Sequence, residues 1–206
     1  MSSTPDQDPS EVLAGIMAAR RSVRSFSEAM PARLDVERII AAGLAAPYAA
    51  AMSAGGALDR RFFVLSPAGA ALSAAARAIQ THAQQALAAP QTPAPLRARL
   101  EPVAGGRILG VGTAPCYVVV AERQGLAAPQ SLAHALENMW LMATALGLGM
   151  HLVSVTTMMS DDPQFCETLG LPVGEYALNG CAIGMPVQPS EVRTTPDAAN
   201  VTTWLD

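Results

Sequence analysis

Aromatic side chains are scarce in this sequence, 4% of 206 residues. That argues against an all-β sandwich, whose pleated, half-buried faces are built from aromatic and β-branched residues. Alanine is used heavily instead, which favours helices. Charge is scarce as well, 15% against 50% hydrophobic, so most of the chain can bury enough apolar surface to escape disorder. The small charge excess is acidic, a formal −4. A broad basic face for nucleic-acid phosphates is therefore missing, although a local anion site is not excluded. Cysteine is limited to Cys116, Cys166 and Cys181, odd in number, far apart and without a C-x-x-C. They read as buried free thiols rather than a disulfide framework. The opening "MSSTPDQDPSE" has no basic stretch followed by an apolar core, so it reads as a flexible leader over residues 1–9 of a cytoplasmic protein.

One long apolar run is present. From Asn138 to Met159, "NMWLMATALGLGMHLVSVTTMM" carries no charge beyond His151 and is long enough to span a membrane. Gly147 and Gly149 interrupt it, the residues beyond become β-branched, and no Lys or Arg cluster flanks it. A buried helix ending at glycine, followed by a buried extended segment, fits better than a membrane span.

The remaining elements follow from period and punctuation. Ser10 can cap a first helix whose apolar stripe is Val12, Leu13, Ile16 and Met17. Asp35 can cap a second, "DVERIIAAGLAA", stopped by Pro47. "RRFFVLS" is short enough for a strand, and "PAGAALSAAARAIQTHAQQALAA" is a helix between prolines. "PQTPAPLRARLEPVAGGR", with four prolines, reads as part of an irregular excursion over about 90–113, a mobile lid or a linker. "APCYVVVAE" is a strand, "SLAHALENMWLMATALG" a buried helix, "DDPQFCETLGLP" a short helix behind an acidic cap, and "YALNGCAIGMP" a buried strand. The tail from about 187 to 206 has no period. Helices and strands mix without regular βαβ alternation, so residues 10–206 are expected to form a single α+β domain.

Most chemical motifs are absent. "AGGRILGVGT" lacks both the Gly-Lys-Ser/Thr ending of a phosphate loop and the G-x-G-x-x-G spacing, and no G-x-S-x-G elbow occurs. His134 and Glu137 could share a metal on one helix face, but no third ligand is placed, and a solvated or hydrogen-bonded pair is the plainer account. What stands out is "IMAARRSVRSF". Arg20 and Arg21 are expected in the last helical turn, where positive charge suits the helix dipole. Ser22 and Arg24 carry the cluster past the helix into a turn. Guanidinium groups and a hydroxyl converging there make a phosphate site through charge-assisted, bidentate hydrogen bonds.

Five stretches then resemble, in order, landmarks of the nitroreductase family of flavin-dependent oxidoreductases. They are "RRSVRSF", "AAGLAAPYA", "APCYVVV", "ALENMWLMATALGLGMHLVS" and "LGLPVGEYALNGCAIGMP", spanning about Ile16 to Pro186. The resemblance implies a nitroreductase-like α+β fold, a mainly antiparallel central sheet flanked by helices, and an intertwined homodimer with FMN at the interface. It implies that Arg20, Ser22 and Arg24 contact the FMN phosphate and the polar edge of the flavin, with Arg21 close by. Leu152, Val153 and Ser154 would run along the flavin, and Arg193 would match a basic residue on the phosphate. Pro47 and Tyr48 would approach the flavin bound mainly to the other subunit.

The implied activity is FMN-dependent reduction of a small acceptor, such as a nitroaromatic or a quinone, with NAD(P)H as co-substrate in a ping-pong cycle. The chemistry would lie on the flavin, so no catalytic side chain and no metal is expected. After Ala-Pro the family usually carries small polar residues, whereas this chain has "YAAAMSAGGALDRRFF". Polar flavin contacts from the Tyr48–Gly56 loop are lost and Tyr48 is added. A flavin-binding sensor or carrier without turnover is the alternative reading, and a metal-dependent enzyme using His134 and Glu137 a weaker one.

Overall fold

The strand "CYVVVAER" has apolar residues on both of its faces, the pattern of a strand covered on both sides. In the computed structural model, which describes residues 8–48, 59–188 and 197–205, it is β2 (Cys116–Arg123), buried along all but its last residue. β1 is Arg60–Leu65, β3 is Gly149–Leu152 and β4 is Tyr176–Gly184. The sheet order is β1-β2-β4-β3, and every pairing is antiparallel.

Strand alternation sorts two cores onto the two faces. Cys116, Val118 and Val120 face the helices α2 (Arg33–Leu44) and α5 (Ala128–Ala145), with Ile39, Leu136 and Met139 between them. Tyr117, Val119 and Ala121 face α3 (Ala70–Ala88) and α6 (Pro163–Leu169), packing with Ile79 and Phe165. The architecture is thus helices, sheet, helices, as the α+β expectation required. All three cysteines are buried and free, and burial pushes the Cys116 thiol up to about 12, so these thiols behave as core groups.

Several local expectations are corrected. The first helix, α1 (Pro9–Ala19), is capped by Asp8, whose carboxylate accepts from the Ser10 N–H at 2.9 Å, so Ser10 is not the cap. None of its residues is buried, and Val12, Leu13 and Met17 are exposed. α2 begins two residues before Asp35, after Ala32, and has no side-chain cap. The 90–113 excursion contains a regular helix, α4 (Ala94–Ala104). Pro93 and Pro95 fall at its start, where the first N–H groups lack intrahelical partners anyway, and Pro102 lies in its last turn. Arg97 ties α4 to the end of α3 by donating to the carbonyls of Leu87 and Ala89, both at 2.7 Å, and of Thr92 at 3.1 Å.

The long apolar run divides as glycine required. α5 stops at Ala145, Gly147 takes φ 72°, and β3 follows. The extended stretch is shorter than expected, because Ser154–Met158 winds into a 3-10 turn. No helix among the described residues is long and apolar enough to cross a membrane.

A second glycine seats the segment after α1. A Cβ on Gly149 would lie 2.6 Å from the Val23 Cβ, so only a bare backbone lets residues 22–24 approach β3. Gly149→Ala is expected to cost about 1–3 kcal/mol through overpacking, read as a lowered melting temperature with weaker binding at Ser22 and Arg24. A variant as stable as the parent would show that the two segments are not seated this closely.

Candidate functional site

α1 ends one residue before the arginine cluster, so Arg20 and Arg21 lie just past its last turn rather than within it. Arg21 folds back and donates to the carbonyls of Ala18 at 2.6 Å and Arg20 at 2.7 Å, closing the helix end. Arg20 turns toward α5. Its Nε lies 3.3 Å from Glu137 Oε1, and its guanidinium sits 4.5 Å from the Trp140 ring centroid. Trp140 Nε1 donates to Arg21 O at 3.0 Å, which pins the elbow from the same helix.

Beyond the elbow the chain is extended. Ser22 bridges Met150 in parallel, and the Val23 N–H donates to Met150 O at 3.0 Å. Val23 packs onto Gly149, so by strand alternation Ser22 and Arg24 face the other way, and both are exposed. Among the described residues Arg24 makes one weak hydrogen bond, 3.5 Å to Ser22 O. The Ser22 hydroxyl, the Arg24 guanidinium and the nitrogens of Arg20 not engaged by Glu137 form a donor set suited to an anionic phosphate.

The same sheet edge carries the second predicted segment. Leu152 is two residues beyond Met150, about 7 Å along the strand. Val153 is buried, and its N–H donates to Gly180 O at 2.8 Å, while Ser154 is exposed and opens the 3-10 turn. Between this stretch and α4 lies a cavity of about 300 Å³, into which His151 faces. The His151 Nδ1 is buried without a hydrogen-bond partner among the described residues. Burial, and then the nearby Arg24 charge, lower its pKa below the ordinary 6.5, so the imidazole is neutral at neutral pH.

Pro47 and Tyr48 are held elsewhere. Arg60 is buried and paired with Glu122 at 2.5 Å, and it gathers the carbonyls at the end of α2: Gly43 O at 2.6 Å, Ala46 O at 3.2 Å and Pro47 O at 2.8 Å. Ser131 Oγ accepts from Arg60 at 3.0 Å and donates to Pro47 O at 3.1 Å. Arg60 also sits 5.7 Å from the Tyr48 ring centroid. Glu122 is paired with Ala177 and Met150 with Ile183. Those β4 positions are six residues apart, about 20 Å along the strand. One chain therefore brings Ser22 and Val23 to the strand that runs into Leu152–Ser154 and holds Arg20 against α5, away from Pro47 and Tyr48. Arg193 and most of the Tyr48–Gly56 loop lie outside the described residues. Where that loop re-enters, Asp59 is fixed by Arg61, Arg123 and the Tyr176 hydroxyl, which hold its carboxyl below the ordinary value although burial alone would raise it.

Glu137 faces Arg20, and no cluster of three His, Cys, Asp or Glu side chains that could hold a metal occurs among the described residues. Arg60, Glu122 and Ser131 were missed at sequence level. A signal existed: the alternation that buries Val118 and Val120 puts Glu122 on the same face, and a carboxylate on an apolar face demands a cation. His151 and the cavity wall from α4 had no comparable signal.

Comparison with known proteins gives a consistent answer. The sequence matches the Nitroreductase family over residues 17–185. No match is found among curated proteins. Among solved structures, a nitroreductase with bound FMN from Bacteroides fragilis superposes with a TM-score of 0.69 at 21% identity, covering 94% of this chain and 98% of that one. A nitroreductase with bound FMN from Desulfitobacterium hafniense gives 0.67 at 22%, with the same coverage of 94% and 98%. An FMN- and NADPH-dependent nitroreductase from Sphigopyxis sp. gives 0.66 at 18%, covering 94% and 99%.

Proposed function

This chain belongs to the nitroreductase family, and from that premise we propose that it is an FMN-dependent oxidoreductase, using NAD(P)H to reduce a small acceptor such as a nitroaromatic or a quinone. The observation that carries the reading is the pairing of Ser22 and Val23 with Met150, on the strand that runs into Leu152–Ser154. Arg20, Ser22 and Arg24 hold the FMN phosphate and the ring's polar edge. Arg21 stays close but is committed to closing α1, and Arg193 adds a contact from the tail. Leu152, Val153 and Ser154 line the ring. The Val153 N–H is already taken by Gly180 O, which leaves the backbone donor role to Ser154.

When bound, FMN supplies the redox chemistry, accepting electrons from NAD(P)H and passing them to the acceptor in two half-reactions at one open face. Arg24, beside the ring's polar edge, stabilises negative charge that develops there. No acid or base side chain is required.

The functional unit in this reading is a homodimer in which Pro47 and Tyr48 reach the flavin site of the second copy. The separation of about 20 Å within one chain supports this. So do the uncovered apolar residues Val12, Leu13 and Met17 of α1, and Trp204 and Leu205 near the C-terminus, which are 85% and 93% exposed. The absorbance spectrum of the purified protein tests cofactor and competence together. A flavin band should appear, bleach with NADH and return with a nitroaromatic or quinone. Protein that takes up no FMN would overturn the assignment. A yellow protein that does not bleach would make it a flavin-binding sensor or carrier.

A further inference from the structure

We propose that the cavity between α4 and the stretch from His151 to Met158 is a ligand-selecting pocket for a flat apolar molecule bearing one negative charge, an aromatic carboxylate. Its walls are apolar: Leu96, Leu100 and Val103 from α4, Ile108 from the loop behind it, and Val155 and Met158 from the 3-10 turn. Its volume, about 300 Å³, matches the lower end of small-molecule sites.

The charge around this space has one sign. Arg99 is the only formally charged residue among those lining it; it is exposed and has no hydrogen-bond or ion-pair partner among the described residues. Arg24 lies close enough to His151 to act on its protonation. No Asp or Glu contributes to the lining described. A cleft with low-dielectric walls and charge of one sign concentrates ligands of the other.

The third observation is the orphaned Nδ1 of His151, buried and aimed into the same space. Buried polar atoms are almost always partnered, and a ligand oxygen would supply what the protein does not. The neutral imidazole can present an N–H there, a directional contact beside the two guanidinium charges. Apolar walls, an unpaired cation and an unmet hydrogen bond together describe an aromatic acid better than a neutral hydrocarbon or a cation. The inference rests on the flavin reading only for the ligand's role as acceptor, since Leu152–Ser154 borders the pocket; binding itself does not depend on it.

The test is a calorimetric titration of the purified, flavin-loaded protein with para-nitrobenzoate and, separately, its methyl ester. The acid should bind about tenfold more tightly or better, the scale of one charge-assisted contact. Arg99→Ala should erase that preference while leaving ester binding intact. Leu96→Trp, which fills the cavity from a half-buried position, should weaken both. Equal binding of acid and ester by the parent, or an undiminished preference in Arg99→Ala, overturns the proposal. Flavin content is read from the absorbance of the same sample. Protein without FMN would sink the cofactor assignment whatever the titration gives, whereas flavin-bearing protein indifferent to charge sinks this inference alone.

Discussion

Arg24→Ala protein is expected to fold normally and to purify nearly free of flavin. Arg24 is exposed, and among the described residues its one hydrogen bond is the 3.5 Å approach to Ser22 O. Removing it should change stability by no more than about 0.5 kcal/mol, as for most surface positions. A guanidinium on a phosphate is a different matter: a hydrogen bond to a charged group contributes about 1.5–3 kcal/mol, a factor of roughly 10–100 in Kd. Arg24→Lys should recover part of the loss, since it keeps the charge without the planar fork.

Arg20→Ala should also lose flavin, but with a fall in the melting temperature of the flavin-free protein. Arg20 is engaged with Glu137 and with the Trp140 ring, and a cation over tryptophan contributes about 0.5–1 kcal/mol at an exposed site. The FMN dissociation constant from fluorescence titration, set beside thermal unfolding without flavin, separates the two arginines. If both variants retain full FMN, the phosphate assignment is wrong.

The second large effect concerns stability. Arg60→Met is expected to destabilise by about 3–5 kcal/mol, because it strands the buried Glu122 carboxylate. The Arg60 side chain is 0% exposed and that of Glu122 1%, and Glu122 Oε2 already lacks a partner among the described residues. For a chain of this size that is roughly 6–20 °C in melting temperature, at about 2–4 °C per kcal/mol. Replacing both, Arg60→Met with Glu122→Leu, removes the uncompensated charge and should recover part of the loss. Recovery will be incomplete, because the carbonyls of Gly43, Ala46 and Pro47 would still lack the donor that Arg60 provides. Thermal unfolding of the two single variants and the double gives the coupling. Losses that simply add would show that the pair does not act as a unit. Arg60 also sets where Pro47 and Tyr48 stand, so Arg60→Met should disturb any site those residues complete.

Much of the fold was legible because local physics and tertiary packing agree. The doubly apolar "CYVVVAE" could only be a covered strand, and it pairs on both sides in the sheet. The acidic cap read before "PQFCETL" is Asp162, whose side chain accepts from the Phe165 N–H at the start of α6. Agreement failed where punctuation had two meanings. The prolines of "PQTPAPLRARLEP" read as a helix breaker, yet two stand at the start of α4, where a missing N–H costs little. Ser10 and Asp35 had capping chemistry, but Asp8 supplies the cap of α1, and α2 starts ahead of Asp35 without one.

The same division holds for the site. Three arginines around Ser22 were enough to suggest an anion site, since charge and donor chemistry travel with residue type. Nothing in that string said that Arg21 would be spent on the carbonyls of Ala18 and Arg20, or Arg20 drawn to Glu137 and Trp140, more than a hundred positions away. Sequence alone determined most of the strands and helices and the family the chain belongs to, because those follow from residue type, period and order. Tertiary structure alone decided which arginines are engaged within the protein, that Arg60 and Glu122 anchor Pro47, and that His151 lines a cavity beside α4. Those are pairings between distant positions, and only the register of the sheet and the packing of helices on it bring them within reach.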